Sequence, residues 1–208
     1  MRIPLSLPPM WRRSSQSDSS RREVKIICEC RPGERPERPG GRLAAGAWSK
    51  SLAQAIGDDI PLETERGYNT TFSPGHFDLK THLTFADHGF VVSKVGGKVR
   101  VGGAVELGGL SAPPNFDRSK ILLSKAKQFL PNMDLVDGEE WMGFRPSMPD
   151  SLPVIGNSPK QSRVIYAFGH GHLGLTQSAA TAELVRDSIL GKPWPIASAP
   201  FSPERFRH

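Results

Sequence analysis

Cysteine, long apolar runs and, outside one end, net positive charge are all scarce in this chain, and each scarcity excludes something. Cys28 and Cys30 are the only cysteines in 208 residues. A structural zinc needs four ligands, and neither a further cysteine nor a nearby histidine accompanies this pair. The two are expected to be reduced thiols, with no metal bound. No stretch approaches the roughly 18 consecutive apolar residues of a membrane-spanning helix. The net charge of +6 would fit a nucleic-acid partner, but residues 1–42 hold 10 Lys/Arg against 5 Asp/Glu, and the rest of the chain holds 17 against 16. The body is close to neutral and has no basic stripe, so no nucleic acid is expected as a partner.

What is present falls into two parts. Residues 1–42 are rich in Arg, Ser and Pro, as in Arg12-Arg13-Ser14-Ser15 and Pro32-Gly33-Glu34-Arg35-Pro36, with one strand candidate at Val24–Cys28. That composition predicts a disordered basic tail. It lacks the apolar segment and small-residue cleavage site of a secretory signal, and Asp18, Glu23 and Glu29 count against a transit peptide, so a cytoplasmic location is expected. From Leu43 onward the pattern becomes that of a packed domain.

A helix opens near Ala44 and runs to about Ile56, where Gly57 stops it. Strands are expected over 60–71, 79–85, 90–93 and 99–107, with Gly96-Gly97 as a tight hairpin turn. Consecutive strands with short connections predict an antiparallel, meander-like sheet rather than βαβ units. Asp117 is expected to cap a helix through Leu130, with Leu122, Ala126 and Phe129 on one face and Pro131 as the stop. A strand from Leu135 to Trp141 leads to Gly143. The fold class is α+β.

The stretch from Gly143 to Leu190 carries the clearest chemistry. Val164–Phe168 reads as a short buried strand, and Ala179, Ala180, Leu184, Val185 and Ile189 lie near helical spacing, with Gly191 and Pro193 as the stop. Between them stands Gly169-His170-Gly171-His172-Leu173-Gly174, a G-x-G-x-x-G match. Glycines there allow close backbone approach, and a helix N-terminus offers N–H groups to an anion. A dinucleotide fingerprint also needs a following parallel strand with an acidic residue about 20 positions on. The chain runs instead into Lys192-Pro193-Trp194-Pro195.

Three separated motifs give the stretch a more specific likeness: Gly143-Phe144-Arg145-Pro146, then Asp150-Ser151-Leu152-Pro153-Val154-Ile155-Gly156, then Phe168-Gly169-His170-Gly171-His172-Leu173-Gly174-Leu175-Thr176. In this order they resemble the C-terminal part of the D-amino-acid oxidase-type FAD-dependent oxidoreductases, and most of all their bacterial D-amino-acid dehydrogenase branch. Upstream, Glu65-Arg66-Gly67-Tyr68-Asn69, Gly102–Glu106 and Ala44–Ser49 extend the likeness over residues 43 to 195.

The resemblance implies a segmented body. Residues 43–58 would be a remnant of the FAD domain, 59–142 a substrate-domain sheet and helix, 143–195 the C-terminal strand–loop–helix of an otherwise missing Rossmann-like FAD domain, and 196–208 a tail. It implies FAD as cofactor and a small D-amino acid as substrate, deaminated oxidatively. It also implies a missing N-terminal half, contact with a quinone or the membrane periphery, and low activity of the chain alone. The alternative is a non-catalytic remnant or the partner subunit of a split flavoenzyme.

By the same resemblance Arg145 would grip the substrate carboxylate with its guanidinium fork. Without it, a surface ion pair with Glu139, Glu140 or Asp150 is the ordinary reading. Tyr68 would cover or hydrogen-bond the substrate, or simply pack on its strand. Gly46 would approach FAD closely or only start a helix. Gly169, His170, Gly171, His172, Gly174, Leu175 and Thr176 would line the flavin. Neither histidine has acidic or Cys partners at metal-ligand spacing. His76, His82 and His88 read as strand and turn residues.

Overall fold

A computed structural model describes residues 40–75 and 77–207. The expected strand at Val24–Cys28, both cysteines, His76 and the tail up to Pro39 lie outside the described residues. Among the described residues eight strands and three α-helices follow in order: β1 (Gly41–Leu43), α1 (Ser49–Ala55), β2 (Glu63–Phe72), β3 (Leu83–Phe85), β4 (Phe90–Val95), β5 (Lys98–Leu107), α2 (Asp117–Phe129), β6 (Glu139–Ser147), β7 (Val154–Asn157), β8 (Val164–Phe168) and α3 (Gly174–Leu190). The class is α+β, as the sequence predicts.

The larger sheet is antiparallel, with strand order β3-β4-β5-β2-β6. It is not a simple meander. Strands β3 to β5 follow one another, but β2 inserts between β5 and β6, because its ten residues pair along both partners. Alternation then divides its side chains. One face carries Phe72, Val99, Val101, Phe90 and Val92, which close a core against Leu122 and Ala126 of α2. The other carries Glu65, Gly67, Val105, Leu107, Trp141, Gly143 and Arg145, which share positions across the ladder.

The smaller sheet has the order β1-β8-β7, with β1 parallel and β7 antiparallel to β8. Its core gathers Leu43, Ala53, Ile60, Leu62, Met148, Val154, Tyr166 and Phe168. Buried Asp58 accepts hydrogen bonds from Ser158 and from the Tyr166 hydroxyl at 2.7 Å, which ties the α1–β2 loop to the sheet. Burial pushes the Tyr166 phenol far up from its ordinary value, so it stays a donor.

Four expectations need correction. Gly41 and Arg42 are not tail; they pair with Val164 and Ile165, since only extended backbone there can satisfy the edge of β8. Asp117 does not cap α2: it lies inside the helix paired with Lys120, and Asn115 Oδ1 receives the Asp117 N–H at 3.2 Å instead. Residues 79–82 are loop, with Leu79 buried but outside the ladder. Residues 196–207 also pack. Two 3-10 turns, Ala199–Phe201 and Pro203–Phe206, are held by Arg205, which donates to Asp150 at 2.7 Å and to the Leu152 carbonyl at 2.7 Å. Strand β7, not expected from sequence, is the four-residue partner this segment packs on.

Candidate functional site

Arg145 sits on β6 directly across from Glu65 of β2. Its guanidinium folds back over Gly67, where a Cβ would collide with both terminal nitrogens. Gly67 is therefore glycine because the arginine head occupies the side-chain space. One strand over, Gly143 pairs with Gly67, and the ring of Trp141 lies where a Gly143 Cβ would be. Two glycines facing each other thus floor a shallow site, with a guanidinium over one and an indole over the other.

The charge at this site is under-matched. Arg145 Nη1 is buried with no hydrogen-bond partner among the described residues. Burial pulls the guanidinium below its ordinary value, and the carboxylate of Glu65, its cross-strand neighbour, opposes this. None of the three acids considered for a surface ion pair fills that role, and Asp150 is engaged by Arg205. A buried donor left without an acceptor costs about 1–3 kcal/mol, so such a group calls for a partner that the protein itself does not supply.

The glycine-rich loop borders this site. Gly169, Gly171 and Gly174 follow β8 into α3, and the Gly171 N–H donates to the carbonyl of Pro146, next to Arg145, at 2.7 Å. His172 Nδ1 lies 3.8 Å from Glu65 Oε2, so the loop reaches the same carboxylate that faces Arg145. His170 turns the other way: its Nε2 meets Thr181 Oγ1 at 3.0 Å, fixing the loop to α3, and burial lowers its pKa. Gly169 has φ +87, and a Cβ there would come within 2.7 Å of Met148 Cγ, so both conformation and packing require glycine. Gly174 makes only ordinary contact, and Leu175 and Thr176 are exposed on the first turn of α3. The N-cap Leu173 gives no side-chain cap, which leaves that turn's N–H groups for an anion. Gly46 adopts φ +56 with open space before it, so conformation requires glycine there.

Tyr68 does not join this site. It is the next residue after Gly67, so it points through the opposite face of the sheet, where it is 1% exposed. Its hydroxyl donates to Glu106 and accepts the Asn115 N–H at 3.1 Å, and Phe116 packs edge-on at 5.9 Å. Glu106 also faces Arg66 at 3.6 Å and Arg118 at 3.4 Å. Fully buried Arg66 donates to the carbonyls of Gly109, Ala112 and Pro113 at 2.8–3.0 Å. Tyr68 belongs to the polar lock that holds the β5–α2 connection. Glu65, Gly67, Trp141 and Gly143 are the site residues that sequence reasoning missed as such; the signal was the alternation of Glu65-Arg66-Gly67-Tyr68 along a strand.

Comparison with known proteins shows the family. Residues 24–188 match the family described as DAO, FAD dependent oxidoreductase. The chain is 42% identical over 168 residues to a D-amino-acid oxidase of Bradyrhizobium diazoefficiens, covering 79% of this chain and 40% of that protein. It is 32% identical over 167 residues to a D-amino acid dehydrogenase of Paramagnetospirillum magneticum, covering 79% and 39%. Glycine oxidase from Geobacillus kaustophilus superposes with a TM-score of 0.70 at 25% identity, over 81% of this chain and 45% of that one. The chain thus spans about two fifths of the length of the curated relatives it matches. By the extent of the family match and by its fold, this chain belongs to the FAD-dependent oxidoreductases of the DAO family.

Proposed function

We propose that the chain carries the substrate-carboxylate seat of an FAD-dependent oxidative deamination of D-amino acids, of the D-amino-acid dehydrogenase type. The observation that carries this reading is the buried, unpartnered Nη1 of Arg145 beside a floor kept clear by Gly67 and Gly143. A carboxylate brought there accepts two parallel charge-assisted hydrogen bonds, which fix its orientation as well as its position.

The residues present also fit one end of the cofactor. Gly169, Gly171 and the uncapped N–H groups at the start of α3 would hold it, with His172 and Glu65 on the side toward Arg145. When bound, FAD supplies the hydride acceptor, so that the substrate becomes an imino acid that water converts to a 2-oxo acid and ammonia. This chain's contribution is orientation: Arg145 fixes the carboxylate, and Glu65 stands across the ladder from the guanidinium. Among the described residues a single loop of this kind is available, and an exposed helix terminus contributes only about 0.3–1 kcal/mol toward an anion. The 208-residue chain alone is therefore expected to hold FAD weakly, with a dissociation constant above the micromolar range.

Isothermal titration of the chain with propionate tests the seat without the cofactor. Binding that disappears in Arg145→Ala supports it; equal binding by both proteins removes Arg145 from the role. With FAD added, D-alanine-dependent dye reduction that also vanishes in Arg145→Ala extends the result to the reaction.

A second reading, a chain that acts by binding another polypeptide, is favoured by Leu175 at 92% exposure beside Leu173 at 52%. Light scattering and hydrophobic-dye binding decide it: a monomer that binds little dye contradicts it.

A further inference from the structure

We infer that Trp141 is the specificity-determining wall of the Arg145 site, and that it selects substrates with an aromatic or bulky apolar side chain. The inference rests on the Arg145 reading and narrows its substrate class. Trp141 and Arg145 are four residues apart on β6, which places both on one face of the sheet. The indole lies over Gly143 and the guanidinium over Gly67, and these glycines are direct cross-strand partners. The two heads therefore stand side by side, one fitted to a carboxylate and the other to an apolar group.

The surroundings continue the division. Val105 pairs with Gly67 and Leu107 with Glu65, so both share the face of Arg145, on the other side of β2. Trp141 is 56% exposed, Val105 44% and Leu107 73%. Large apolar side chains with this much exposure around a half-buried cation form an amphipathic surface rather than a core. A ligand that matches it joins a carboxylate to an apolar body. A small ligand such as D-alanine meets only the charged part, and a ligand with a cationic or anionic side chain loses hydration against the indole without a partner.

Paired carboxylates test this without cofactor or turnover. The 208-residue chain is titrated with 3-phenylpropionate and with propionate, which carry the same head group. The wild-type chain is expected to bind the phenyl compound at least about tenfold more tightly, which is about 1.4 kcal/mol. In Trp141→Ala the two affinities converge; in Trp141→Phe the preference survives, which separates loss of the ring from loss of the fold. In Arg145→Ala both ligands are lost. A preference retained in Trp141→Ala, or absent from the wild type, overturns the inference and leaves the Arg145 reading intact. Phenyl preference with affinities that Arg145→Ala does not change overturns the carboxylate seat instead. A wild-type chain that binds neither compound overturns both.

Discussion

The guanidinium of Arg145 occupies the side-chain space of Gly67, a residue on the neighbouring strand. Each makes the other possible: an arginine can lie flat on the sheet only where its neighbour has no Cβ. Gly67→Ala should therefore separate function from stability. The atoms in the way are the far end of a flexible side chain, so the head swings aside, and stability changes by less than about 1 kcal/mol, as for substitutions outside a rigid core. Propionate affinity should fall at least roughly tenfold because the fork is no longer aimed. Urea unfolding and calorimetric titration of the same preparation measure both. Unchanged affinity would show that the pose over Gly67 does not matter for binding.

Tyr68 gives the opposite pattern. Removing its hydroxyl takes away the donor to Glu106 and the acceptor of the Asn115 N–H. Tyr68→Phe should destabilise the chain by about 1 kcal/mol, the net worth of a hydrogen bond made by a buried phenol. It should leave propionate binding as it was, because the phenol lies on the far face of β2. Loss of binding without loss of stability would place Tyr68 back in the site.

These two neighbours show what was legible in the sequence. The helices, the hairpin at Gly96-Gly97 and the antiparallel class follow from periodicity and turn chemistry, which are local. The order β3-β4-β5-β2-β6 does not, because the insertion of β2 between β5 and β6 is set by pairing between residues far apart in the chain, such as Gly67 with Gly143. The motif Glu65–Asn69 marked the right strand, but period-two alternation had to be phased before Tyr68 could be sent to the core and Gly67 to the site. The Gly143–Pro146 motif singled out Arg145; the fit of its head into the space of Gly67 could not be read, since nothing in a linear sequence shows which side chain fills a glycine's empty space. The C-terminal segment was misread for a related reason. Residues 196–207 form a short segment, and contacts across the fold make it part of the domain: the Arg205–Asp150 ion pair and its packing on β7.

Gly169 tests whether the loop is held by the protein itself. Its φ of +87 is disfavoured for any L side chain, and a Cβ would press on Met148 Cγ within 2.7 Å, close to the backbone rather than at a free end. Gly169→Ala should cost about 1–3 kcal/mol in urea unfolding, the range for a residue forced into this region. It should also weaken whatever FAD binding the chain shows. Wild-type stability in this variant would mean that the loop readily takes another path.

The last prediction concerns pH and His170. Burial against α3 lowers this imidazole from its ordinary value of 6.5, and Thr181 Oγ1 faces its Nε2 at 3.0 Å. The folded chain therefore resists protonating a group that the unfolded chain protonates more readily. By linkage, the unfolded state binds more protons between the two values, so the contribution of His170 is fully present above about pH 6.5 and is lost as pH falls below it toward the folded value. Glu106 behaves in the same sense but lower: its hydrogen bond from Tyr68 holds its carboxyl below 4.5, so its contribution is lost only as pH falls under that figure. The melting temperature of the wild type should drop between pH 7 and about pH 5, and His170→Gln, which keeps a polar contact for Thr181 but cannot titrate, should show a smaller drop over the same range. The comparison needs only thermal scans of both proteins at several pH values. A gap between them that stays constant from pH 7 to about pH 5 would mean that the imidazole does not titrate differently on folding, and that His170 is not closed against α3 as the structure shows.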